Sequence, residues 1–77
     1  MKNRNIKFKN IQIELFKANN SINDLADKMG ITRQALYMKL NGSSNILYKD
    51  IKAIQQILQE LNNTKYTIDY LFKEYDN

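Results

Sequence analysis

Arg33, Gln34, Tyr37 and Met38 make two i, i+4 pairs, so on a helix they share one face. The chemistry they offer is hydrogen bonding to base edges. An arginine guanidinium is a rigid fork of donors that fits guanine O6 and N7, and a glutamine amide can accept from adenine N6 while donating to N7. Tyr37 adds a hydroxyl for phosphate or a ring for a thymine methyl, and Met38 an apolar contact. Around them Thr32, Lys39, Asn41, Ser43, Ser44, Asn45 and Lys49 are candidate phosphate contacts that would fix the register of such a helix. The N-terminal Lys2, Arg4, Lys7 and Lys9 form a candidate arm along a duplex, though an untethered basic tail is an equally ordinary reading. The bland alternative for the whole face is a solvated helix surface, against which stands the pairing of an exposed Tyr and Met with Arg and Gln.

The elements that must hold this face are legible from their ends. Ser21 followed three residues later by Asp24 is a capping-box variant, so a helix should begin at Ile22. Leu25, Ala26 and Met29 give it one apolar stripe, and the small Ala26 is where a second helix can cross closely. Gly30 is the left-handed residue that ends the helix, and Ile31 anchors the turn in the core. Thr32 caps a second helix in which Leu36 and Leu40 are the buried pair, before Asn41-Gly42 stops it. Two helices of about eight residues are not stable alone and must pack on others.

The run LADKMGI from Leu25 to Ile31, Leu36 six residues after the glycine, and the closing KLNG to Gly42 resemble the lambda-repressor-like helix-turn-helix proteins of the Cro and phage-repressor type. The resemblance extends from about Phe8 to Leu61. It implies an all-α fold, a bundle of about five short helices in which residues 21–42 are the helix-turn-helix. It further implies sequence-specific binding to double-stranded DNA, by a small phage- or plasmid-type repressor acting as a homodimer on an operator. In the family the position of Asn41 commonly touches backbone phosphate, and the first position of the first motif helix is often glutamine. Here that position is Ile22. Small domains of this kind can also serve as protein-interaction modules, as antitoxins or inhibitors of a host protein, so a protein partner is the second reading.

Composition is compatible with both. The chain has 77 residues, twelve Lys and Arg against eight Asp and Glu, and a net charge of +4. The basic excess suits a polyanion, yet lysine-rich chains with no such partner are common in AT-rich genomes. One small domain is expected over residues 1–77. With no histidine, no cysteine, no Gly-rich phosphate loop and no metal-ligand spacing, neither an enzyme nor a cofactor or metal is expected. No run approaches the roughly 20 apolar residues of a membrane span, and Met1 to Asn10 lacks the apolar core of a signal peptide, which makes the cytoplasm the expected location.

Three further pieces complete the bundle. Phe8, Ile11, Leu15 and Ala18 follow helical spacing, with Phe16 broadening the stripe. Ile11, Ile13 and Leu15 also alternate as a strand would, but a helix is favoured because the following pair needs its apolar faces covered. Ile13 then lies off the main face, as a scattered surface residue or a contact with another subunit. After the polar loop Ser43-Ser44-Asn45, the positions Leu47, Ile51, Ile54, Leu58 and Leu61 predict an amphipathic helix ending near Asn62-Asn63. From Thr64 to Asn77 periodicity fits a strand or a short helix behind Thr67, and the helix is favoured because a lone strand lacks a partner. Tyr66, Tyr70, Phe72 and Tyr75 lie in this segment. They are the candidate dimer or partner interface, unless they only close the open end of the core.

Overall fold

Local hydrogen bonds set the boundaries of every helix. The computed structural model describes residues 6–75, and Lys2 and Arg4 of the expected arm lie outside them. The first helix, α1 (Lys9–Lys17), ends where Asn19 takes a left-handed conformation, φ 59°, and the Asn20 amide donates back to the Leu15 carbonyl at 2.9 Å. The second, α2 (Ile22–Met29), opens on a reciprocal capping box. The Asp24 amide donates to Ser21 Oγ at 3.2 Å and the Ser21 amide to the Asp24 carboxylate at 2.8 Å. It closes at Gly30, φ 76°, where an added Cβ would meet no atom within 4 Å, so the backbone angle alone calls for glycine.

Thr32 Oγ1 accepts the Ala35 amide at 3.0 Å and starts α3 (Arg33–Leu40). The Asp50 carboxylate accepts the Leu47 amide at 3.0 Å and starts α4 (Tyr48–Asn62), which ends at left-handed Asn63. Thr67 caps the short α5 (Ile68–Leu71). The fold is therefore all-α, with no strand among the described residues. The ambiguous C-terminal segment is the helix that Thr67 favours.

One core joins the five helices. Ile11 and Leu15 of α1, Leu25 and Ala26 of α2, Leu36 and Leu40 of α3, Ile54 and Leu58 of α4, and Leu71 of α5 are all buried together. Each fully buried Leu or Ile is worth about 1.5 to 3 kcal/mol, which is what holds such short helices in place. The Cα radius of gyration, 11.6 Å, is close to the roughly 11.5 Å of a compact chain of this length. No helix among the described residues is long and apolar enough to cross a membrane.

Three expectations are corrected by the packing. The candidate basic arm is not free at Lys7: Ile6 just before it is buried in the core, and the Lys7 amide donates to the Leu40 carbonyl at 2.9 Å. Gly42 beside this crossing takes φ 90°, the left-handed region that favours glycine, and an added Cβ there would also press on the Lys7 side chain at 3.0 Å. Phe16 does not broaden the core stripe and is 84% exposed. The buried arc of α1 runs through Asn10, Ile11, Glu14 and Leu15, and Phe16 lies about 170° round from its middle at helical pitch. Leu47 is not the first core position of α4. Its extended backbone, φ −90° and ψ 158°, makes it the residue before the helix, and it is half exposed while Ile46 packs on the core.

Candidate nucleic-acid interface

On α3 the side opposite Leu36 and Leu40 carries Gln34, Tyr37, Met38 and Asn41, a stripe at i, i+3, i+4 and i+7. Arg33 joins it from the first turn. These five residues line one open depression of about 340 Å³. The structure thus brings together all four base-contact candidates and adds Asn41, which sequence reasoning set among the phosphate contacts. Arg33, Gln34 and Met38 are exposed, so their polar groups and thioether can meet a partner without any rearrangement of the core. Tyr37 departs from the expectation that it points wholly away. It is half-buried, with its ring packed against the core.

The residues flanking the depression differ in how far they are already engaged. Thr32 Oγ1 accepts the Ala35 amide and still has its hydroxyl proton to donate. Asn41 Oδ1 accepts the Ser43 amide at 2.9 Å, and the Ser43 and Ser44 amides both reach the Met38 carbonyl, so the turn after α3 is tied down through its backbone. The side chains of Ser43, Ser44 and Asn45 remain exposed, as does Lys49 on the first turn of α4. Lys39 is different. Its ammonium lies 3.0 Å from the Asp50 carboxylate and 3.3 Å from the Asn45 carbonyl, with both charged side chains largely covered. Burial pushes the Asp50 carboxyl up, but the Leu47 amide and Lys39 outweigh it and hold the group below its ordinary value. Lys39 is thus a strut between α3, the loop and α4. Lys7, an arm candidate whose amide meets the end of α3, is likewise paired, with Glu74 at 3.4 Å.

The aromatic residues of the C-terminal segment turn back onto α1. The Tyr66 hydroxyl donates to Glu14 Oε1 at 2.6 Å and the Tyr70 hydroxyl to Glu14 Oε2 at 2.7 Å. Tyr75 donates to Asn10 Oδ1 at 3.0 Å, Asn10 Nδ2 donates to the Tyr70 carbonyl at 2.7 Å, and Phe72 meets Phe8 edge to face at 5.1 Å. The four residues are engaged within the chain, with part of Tyr70 and Tyr75 left at the surface. Glu14 and Asn10, 2% and 3% exposed, are the anchors that sequence reasoning missed. The available signal was their i, i+4 spacing beside Ile11 and Leu15, which puts a carboxylate and an amide on the buried face, where they demand partners.

Compared with known protein families, curated proteins and solved structures, the chain matches none. Among the described residues no group of three or more His, Cys, Asp or Glu could hold a metal ion.

Proposed function

We propose that this protein binds double-stranded DNA sequence-specifically, with α2 and α3 acting as a helix-turn-helix and α3 as the reading helix, in a small repressor that works as a homodimer on a cytoplasmic operator. The observation that carries this reading is the gathering of Arg33, Gln34, Met38 and Asn41, with the edge of Tyr37, on the solvent side of α3. An α-helix fits the major groove, and these side chains supply donors, an acceptor and an apolar contact where each base pair shows its distinct pattern. Thr32, the Ser43 to Asn45 loop and Lys49 then meet phosphates on either side. No catalytic step is part of the reading, and with no histidine or cysteine none is called for.

Selection of bound duplexes from a random pool tests it. A single enriched motif, bound with an affinity that falls steeply as salt rises, is the expected result. If no sequence is enriched and binding is no stronger than that of any weakly basic protein, the reading fails. The protein-interaction module then takes its place, favoured by one observation: the exposure of Phe16 on the outer face of α1.

A further inference from the structure

We propose that the groove between α1 and the start of α2 receives a second copy of this chain, with Phe16 of each protomer seated in the groove of the other. The groove holds about 590 Å³ and is lined by Ile13, Leu15, Phe16, Lys17, Ser21 and Ile22 among others. Phe16, 84% exposed, and Ile13, 47% exposed one turn before it, form an apolar ridge along its edge. Ile22, the position where the resembling family often has a polar residue, faces the same space. A ridge beside a hole of matching chemistry is self-complementary, which is what a two-fold contact requires.

Charge selects a second copy as the occupant. A chain of net charge +4 repels itself over most approaches, so association needs a face that is neutral or pairs its own charges. Among the described residues the one cation lining this groove, Lys17 on the α1 rim, already sits 3.3 Å from Glu14. On the α2 rim the Asp24 carboxylate lies 2.8 Å from the Ser21 amide. With the two-fold axis along the groove, the α1 rim of one protomer lies over the α2 rim of the other, which sets Lys17 against the opposite charge of Asp24 twice. An apolar centre with a sparsely charged rim is also the usual anatomy of a protein interface. The C-terminal aromatics are in part used within the chain, because Tyr66, Tyr70, Phe72 and Tyr75 hold α1 and Phe8, with Tyr70 and Tyr75 still partly exposed. The groove shares no residue with the α3 depression, so a dimer formed here leaves that face open.

The biological use of this dimer rests on the repressor reading, but its test does not. Sedimentation of the full chain without DNA, from low to high micromolar concentration, should show a dimer. Phe16→Glu should be monomeric throughout, and Phe16→Ala should weaken association at least about tenfold. Because the ring supports no intramolecular core, both variants should keep the circular dichroism of the parent, and Phe16→Glu should lose the concentration dependence of its melting midpoint. A parent monomeric across the range, or a Phe16→Glu variant that dimerises like the parent, overturns the proposal. So does a parent that stays monomeric and instead takes up one foreign protein in a Phe16-dependent way. Binding to a duplex with a single half-site, measured separately, should be alike for parent and Phe16→Glu. A dimer split by Phe16→Glu, with neither protein binding any duplex, supports the docking surface and overturns the DNA reading.

Discussion

Two cations of α3 carry the same formal charge and do opposite work. Arg33 is exposed at the first turn, whereas Lys39 is spent on Asp50 and the Asn45 carbonyl. Arg33→Ala should therefore cost about 1 to 3 kcal/mol at one guanine-containing position and leave other duplexes nearly as they were, as fluorescence anisotropy on matched and substituted sites would read. Lys39→Met should destabilise the fold by about 1 to 3 kcal/mol in urea, because the Asp50 carboxylate loses a charged partner. It should leave the salt dependence of DNA binding unchanged. A lysine on phosphate, the role proposed for the exposed Lys49, should reduce the slope of log affinity against log salt by about 0.9 when replaced by Ala. If Lys39→Met lowers that slope by the same amount, the strut assignment is wrong.

The element whose presence rests most on tertiary contacts is α5. Four residues make no stable helix in water, so α5 stands because Thr67 caps it, Leu71 is buried, and α1 offers Glu14 to two tyrosines. Glu14→Gln leaves one carbonyl oxygen where two hydroxyls must be accepted, and should cost about 1 to 3 kcal/mol with earlier hydrogen exchange at the Leu71 and Phe72 amides. The same cluster gives a two-sided pH dependence. Burial raises the Glu14 carboxyl, but the Tyr66 and Tyr70 hydroxyls with Lys17 outweigh it and hold the group below its ordinary 4.5. The unfolded chain thus binds more protons in that window, and stability present above it is lost as pH falls through the folded value. Tyr70 is pushed from 10.0 up to about 12 by its hydrogen bond to Glu14 and by burial. Its share is complete below 10.0 and is lost as pH rises through about 12. A series of urea midpoints should be flat around neutrality and fall at both ends. A midpoint that stays level through the alkaline limb would remove Tyr70 from the account.

At the scale of the molecule, the proposed reading gives one small core two surfaces with separate tasks. The α3 depression has the groups to read a duplex, and the α1–α2 groove has the apolar ridge to pair two readers. A dimer holds its two reading helices at a fixed distance, so the site it prefers should contain two half-sites about 10 to 10.5 base pairs apart, or a multiple of that. Inserting about five base pairs between them turns one half-site to the far side of the duplex and should reduce affinity to that of a single half-site. Retained affinity after that insertion, in a gel-shift series of spacers, would show that the protomers bind independently.

What the sequence by itself determined is what lies within a few residues of its cause. The capping pairs Ser21 with Asp24 and Thr32 with Ala35, and the positive φ of Gly30, all close within three or four residues. They make α2, the turn and α3 readable with no knowledge of the rest. The same holds for the buried stripe Leu25, Leu36, Leu40, Ile54 and Leu58, since helical period assigns faces. Period cannot say which face finds a neighbour. Glu14 meets its tyrosines 52 and 56 residues further along the chain, and that meeting, with the burial of Ile11 and Leu15, holds α1 rolled toward Asn10 and Glu14 with Phe16 outside. The commitment of Lys39 to Asp50, 11 residues away on another helix, was hidden for the same reason: a charge in a sequence shows its sign, and the partner that fixes its role is brought to it by the fold.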